Sequence, residues 1–418
     1  VLAAGACEPH RGDKVTRPIV VSDGSERSAD ADAPPTPIRD APAAPGPRAA
    51  VTGARDYLQR FADPARDSRL GVALAAGPYR LRWQAALQEA PALAVLTGGD
   101  RVVVESRDGF ELFTLDGKPA GRGAHGNDAV LLDPGNAVLY AAHPSGMFAG
   151  WSLADGAFAF AFPTRQSAGF QRDPIARRGS QLLLASTEQP IMSTSGRVPE
   201  LGLLEWQDLG APMQLDSNGA VMTAREAAVL MVHAVPIRTA LAGASLVVAA
   251  PGRVIFADAA SLKVTRQLAA DQTPVALSVD EAGDAHLVVR TAAGAALWIV
   301  TPAGDRRATV PLFDLGVTTP PVLGLDHAIH LIGERRIATL HPDGTPAWTA
   351  ALDAPIAGAV AVPGALVVAA GAEVVAFDAA GARRVVHHFD GIRLATAPVV
   401  TARGVLVASD RVLYGLAP

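Results

Sequence analysis

Residues Ala354 to Gly381 read as three short apolar strands joined by tight turns, and weaker copies of this unit recur through most of the chain. Ile356 to Val362 is apolar, Pro363-Gly364 turns, and Ala365 to Ala370 is apolar again. Gly371-Ala372 turns once more, and Glu373 to Phe377 is a third strand closed by Asp378 and Gly381. Short Val-rich runs punctuated by Gly and Pro predict an antiparallel meander. Their near-continuous apolar character calls for cover on both faces, so one such sheet is unstable alone while stacked copies are stable.

The copies align on the third strand and its turn. They are Leu112 to Gly117, Gly150 to Gly156, Leu204 to Gly210, Ile255 to Ser261, Leu297 to Gly304, Ala338 to Gly344 and Ala376 to Gly381, with Leu413 to Leu416 ending mid-motif. The spacing of roughly 40 to 50 residues fits a four-stranded propeller blade. Ile392 to Leu416 supplies three strands without a fourth, and Tyr79 to Leu87 is an unpaired strand ahead of the first full copy. A ring closes, and exposed edges disappear, if that N-terminal strand becomes the outer strand of the last blade. The expected fold is all-β: an eight-bladed β-propeller of four-stranded antiparallel blades, or seven-bladed if one weak copy is not a repeat.

Small apolar residues, a Gly turn, then an aromatic, Leu or Phe, Asp and Gly followed by Trp resemble the repeat of the pyrroloquinoline-quinone-type (PQQ-like) β-propellers. Ala397-Pro398, Gly404, Leu413 to Leu416 and Pro346-Ala-Trp348 carry the likeness best, over about residues 79–418. Among such propellers, an anchored ring without cofactor resembles the BamB-like lipoproteins of outer-membrane β-barrel assembly.

The whole chain of 418 residues is 49% hydrophobic and 18% charged, enough to bury a large core. A net charge of −5 argues against nucleic acid or an anionic membrane face as the main partner. Val1 to Cys7 resembles the end of a bacterial lipoprotein signal, where small residues precede a Cys that is lipidated. Cys7 is the only Cys, so it has no disulfide framework to join. That resemblance implies outer-membrane sorting, since Glu8 stands where lipoproteins retained in the inner membrane typically carry Asp. Residues 8–53, rich in Pro, Ala and Asp, lack the apolar periodicity that offsets chain entropy and are expected to be a disordered tether. A flexible chain of that length holds its ends about 35–40 Å apart. Residues 54–78 are expected to form a short helix, with Tyr57, Leu58 and Phe61 on one side, or a pad on the ring.

Blades one to three are expected near 88–126, 127–166 and 167–217. Blade three carries an insertion near Thr187–Pro199, and Asn218 to Pro236, between blades three and four, reads as a helix or as long strands. Inserted loops diversify contacts, so Glu188, Met192, Arg225 and Met231 are the candidate partner-binding residues.

Catalytic residues are not expected. The resemblance implies that a quinone dehydrogenase would need a Ca²⁺ site, an Asp base and a vicinal Cys pair. The pair is absent from the sequence. Turn residues Asp116, Asp155, Asp343 and Asp378 recur at equivalent places and so spread around the ring, which suits Asx turns. His387-His388 leave opposite faces of a strand, and His327 and His330, three apart, also diverge if extended. Neither metal ligation nor a bound cofactor is expected. Trp83, Trp151, Trp206, Trp298 and Trp348 fit packing between blades. Arginine pairs at 177/178, 306/307, 335/336 and 383/384 read as solvated edges.

The leading expectation is a non-catalytic, membrane-anchored binding scaffold of the bacterial envelope, its partner an envelope protein, with a role in outer-membrane protein assembly implied by resemblance. The alternatives are a surface sensor or adhesin for a peptide or glycan, and a degenerate quinone-dependent dehydrogenase.

Overall fold

The structure, a computed structural model, describes residues 70–89, 91–124, 130–142, 148–162, 171–178, 181–188, 192–193, 196–197, 201–208, 214–215, 221–222, 226–232, 237–270, 272–292, 294–312, 315–317 and 319–418. Among them stand eight four-stranded antiparallel sheets and two two-stranded ribbons. Seven of the sheets take their four strands in chain order, the innermost first; blade seven is Ile356–Val362, Ala365–Ala370, Glu373–Asp378 and Arg383–His388. Every third-strand motif read in the sequence falls on the third strand of its blade.

The eighth sheet joins Val399–Thr401, Gly404–Ala408 and Val412–Ala417 to Arg80–Ala86, the first strand of the described chain, as its outer member. Trp83 sits opposite Gly415 in that pairing. Closure by the N-terminal strand is therefore the observed arrangement. Innermost strands of neighbouring blades touch in sequence: one with two, two with three, three with four, four with five and six with seven, while blade eight touches blade one. Blades five and six share one apolar cluster, and Gly358 of blade seven meets Ala397 at the entry to blade eight.

The burial pattern explains why the strands differ in sequence. Inner and middle strands lie between two neighbouring blades and are apolar on both faces, as in Ala365–Ala370, buried in all but its first residue. Outer strands have only part of their surface covered and alternate, as Arg306–Pro311 and Pro346–Ala351 do.

Blade three departs from the sequence reading. Its outer strand is Glu226–Val232, paired with Leu201–Asp208, so the blade extends to Val232 and the stretch 218–236 does not lie between blades. The described parts of that stretch, Val221–Met222 and Glu226–Val232, are strands. The displacement arises because a ribbon of Gln214–Leu215 and Val221–Met222 is inserted before the fourth strand, which pushes that strand past the usual period. Thr187 and Glu188 belong to the second strand, Gln181–Glu188, and the insertion proper carries a ribbon of Met192–Ser193 with Gly196–Arg197. The expected tether and the helix near 54–61 lie outside the described residues.

Candidate functional site

Strand alternation gives the ring two distinct faces. On one lie the turns between second and third strands and the crossovers from each outer strand to the next blade. On the other lie the first-to-second and third-to-fourth turns.

The face of third-to-fourth turns is built for blade docking. Gly117, Gly156, Gly304, Gly344 and Gly381 all have φ between 74 and 92° there, and Leu262 takes the left-handed conformation in the copy that lacks Gly. Each of these glycines is met by the outer strand of the preceding blade: Trp83 on Gly117, Arg122 on Gly156, Arg266 and Leu268 on Gly304, Ala308 and Val310 on Gly344, Trp348 on Gly381. Side chains there would collide with the neighbouring blade. Three of the turn aspartates make Asx turns. Asp155 accepts from the Ala157 N–H, Asp343 from Thr345, and Asp378 from the N–H groups of Ala380 and Ala382. The Thr345 hydroxyl and N–H hold the Asp343 carboxyl below the usual range. Asp116 differs, meeting Arg403 of blade eight at 2.9 Å across the ring closure.

The described arginine pairs lie on exposed edges, as expected, and several of them also make surface contacts. Arg307 meets Asp284 at 3.1 Å, Arg306 lies 4.7 Å over Trp298, Arg335 donates to the Asp353 carbonyl, and Arg384 donates to the Gly77 carbonyl. Arg383 pairs with Glu373. The side chains of Arg177 and Arg178 are not among those described. Trp151, Trp298 and Trp348 pack in the core or between blades; the Trp206 side chain is outside the described set.

The histidines do not converge. His387 contacts the Tyr79 carbonyl while His388 faces Glu373. His330 is buried with Nδ1 2.8 Å from Thr339 Oγ1, whereas His327 sits in a turn at φ 65°. A second buried group lies at the first turn of blade five. There Asp280 accepts from the N–H groups of Ala282 and Asp284, and His286 Nε2 stands 3.7 Å from Asp280. These carboxylates are committed to their own turn and to Arg307.

The opposite face holds a cavity of about 450 Å³ at the mouth of the ring. Four blades wall it: Leu93 to Val95 of blade one, Ile332 to Glu334 of blade six, Ile356 to Ala359 of blade seven, and Ala395 and Ala397 at the entry to blade eight. The crossover containing Gly316, Thr319 and Pro320 completes it. Of sixteen lining residues, Glu334 is the one that ionises and Thr319 supplies the one hydroxyl. The rest offer small or aliphatic side chains and backbone. A Ca²⁺–quinone pair calls for several carboxylate and amide oxygens, and this donor set does not fit it.

Of the residues singled out from sequence, Glu188 ends a second strand opposite Leu201, Met231 lies opposite Leu203, and Met192 belongs to the ribbon between them. All three therefore lie at the end of blade three that faces the same way as the cavity, in a different blade from those lining it. Arg225 and Cys7 lie outside the described residues. Sequence reasoning missed Glu334 and the cavity, because residues such as Ala357-Gly358-Ala359 look like any buried strand.

No known family model matches the chain, and no curated protein matches it in sequence. Solved structures do match in fold. A computationally designed protein, Ika8, is 12% identical with a TM-score of 0.59, over 79% of this chain and 98% of its own. BamB from Moraxella catarrhalis is 13% identical with a TM-score of 0.55, over 82% of this chain and 98% of its own. The quinohemoprotein alcohol dehydrogenase ADHIIG from Pseudomonas putida HK5 is 9% identical with a TM-score of 0.60, over 87% of this chain and 80% of its own. At these identities the likeness establishes the fold alone, a β-propeller.

Proposed function

We propose that this protein is a non-catalytic protein-binding scaffold of the bacterial cell envelope, anchored through a lipidated Cys7 and serving outer-membrane protein assembly. The observation that carries the binding reading is the cavity face, where strand edges and small side chains from four blades surround a single carboxylate. Nucleophilic catalysis commonly pairs the nucleophile with an activating base, and one ionisable residue among small and aliphatic ones offers no such pair in this cavity. Shape and backbone hydrogen bonding suit recognition of another chain. The fold likeness to BamB supports the envelope role, and the small-residue run before Cys7 supports the anchor.

The test is a detergent pull-down of the full-length protein from its native membranes beside a Cys7→Ala version. Recovery of barrel-assembly components, weakened in Cys7→Ala, is the expected result. Recovery of other envelope proteins alone would discard the assembly role and keep the scaffold. Unchanged membrane partitioning of Cys7→Ala would remove the lipid anchor. The dehydrogenase alternative has a separate check: a spectral change on adding quinone and Ca²⁺ would overturn the non-catalytic reading.

A further inference from the structure

Leu70 shows how the inside of the ring can be used. It is fully buried, and its N–H donates to the carbonyl of Ala361 at 2.8 Å. Ala361 lies on the innermost strand of blade seven, whose single sheet neighbour is Ala365–Ala370. A bond arriving at Ala361 from off the sheet therefore arrives from the centre of the ring. The inner edge of this strand already accepts one backbone N–H, at the end away from the cavity.

In an antiparallel strand the N–H and C=O of one residue point the same way, and residues two apart share that direction. Ala359, Val360 and Ala361 pair in unbroken register with Val368, Val367 and Leu366. Ala359 therefore turns its N–H and C=O toward the ring centre as Ala361 does, about 7 Å nearer the mouth. Ala359 also lines the cavity. Just beyond it the strand bulges between Ile356 and Gly358, a device that re-aims backbone at sheet ends.

Charge narrows the occupant. Glu334 at the cavity wall is exposed and has no ion-pair partner among the described residues, and no cationic side chain lines the cavity. Arg335, which donates to the Asp353 carbonyl, and Arg336 follow Glu334 but do not line the cavity. A lysine or arginine entering it would therefore meet the one ionisable residue of the wall with opposite charge, and a carboxylate with like charge.

We propose that the cavity binds an extended peptide segment by strand addition to the inner edge of blade seven at Ala359, with small apolar side chains in the cavity and a lysine or arginine against Glu334. This rests on the binding-scaffold reading and gives it a site and a ligand class. Leu70 occupies the same edge farther in, so the ligand enters from the cavity face and stops short of it. Small lining residues leave room for a backbone in contact with the wall, and the pocket selects alanine- or valine-sized side chains.

The probe is a phage-displayed random dodecapeptide library selected on the full chain, with enriched peptides synthesised and their binding read by fluorescence anisotropy. Enriched peptides should combine small apolar residues with a lysine or arginine. Their affinity should fall tenfold or more in Glu334→Lys. It should also fall in Ala359→Pro, which deletes only the inward-facing N–H and leaves the ladder to Ala365–Ala370 intact. Ala357→Phe, which fills the cavity, is the second blocking variant should Ala359→Pro not fold. An empty selection, or peptides whose affinity is unchanged in Glu334→Lys and Ala357→Phe, would overturn the proposal. A pull-down that recovers envelope partners undiminished by Glu334→Lys would overturn this site while leaving the scaffold reading standing. Peptide binding without envelope partners would do the reverse.

Discussion

The indole of Trp348, on the outer strand of blade six, rests against Gly381 in blade seven. A β-carbon placed at Gly381 would stand 2.8 Å from ring atoms Cγ and Cδ2. The same indole stacks on Phe377 at 5.5 Å. Gly364, in the neighbouring turn of blade seven, also has a positive φ, yet nothing lies within 4 Å of its missing β-carbon. Gly364→Ala should cost about 1 kcal/mol from backbone strain alone. Gly381→Ala should cost roughly 2–4 kcal/mol because the interface must also move. Urea unfolding of the two variants measures the difference, and equal losses would contradict the contact.

Ring closure offers a similar contrast. Trp83 covers both Gly117 and Gly415, joining the first and last blades, while the Arg403–Asp116 pair bridges the same junction in solvent. Trp83→Ala should destabilise by roughly 2–4 kcal/mol. Arg403→Ala should cost under about 1 kcal/mol, since exposed ion pairs contribute little. Chemical denaturation of both variants against the parent is the check.

Burial holds the His330 pKa at about 4, below its ordinary 6.5, with the Asp326 charge opposing in part. The folded state thus binds fewer protons than the unfolded state between these values. Stability from this residue is complete above about pH 6.5, falls as pH drops toward 4, and levels off below. The loss should be on the order of 3 kcal/mol. His330→Leu leaves the Thr339 hydroxyl unpaired and should lower stability at neutral pH, yet it should flatten the decline between pH 6.5 and 4. Urea midpoints at several pH values in that range would show it; an unchanged slope would assign the acid sensitivity elsewhere.

Residues 70–79 run from Leu70 at the ring centre to Tyr79, whose N–H donates to the Val386 carbonyl at the outer strand of blade seven. Leu70→Ala should weaken the docking of this segment by roughly 2–4 kcal/mol. Because the loss is local, thermolysin should cleave near residues 70–79 well before the blades are attacked. Protection equal to that of the parent would mean that Leu70 does not hold the segment.

Much of the fold was legible because the same physics repeats. Val-rich runs, the Gly turns at 117, 156, 304, 344 and 381, and the three-strand ending at Leu416 each restate one requirement, so errors in single copies do not accumulate. Legibility failed in blade three, where an inserted ribbon broke the period and Glu226–Val232 looked like a segment lying between blades three and four. The described arginine pairs, read as solvated edges, do lie on exposed edges, while the carbonyls and the ring they touch are not visible in the sequence.

Local pattern by itself determined that this chain forms stacked four-stranded sheets, because period, turn chemistry and double-sided burial are properties of neighbouring residues. Only the tertiary structure decided that Leu93, Glu334, Ala359 and Ala397 meet around one cavity. They come from four blades more than 300 residues apart at the extremes, and their convergence depends on ring closure, which no short window of sequence contains.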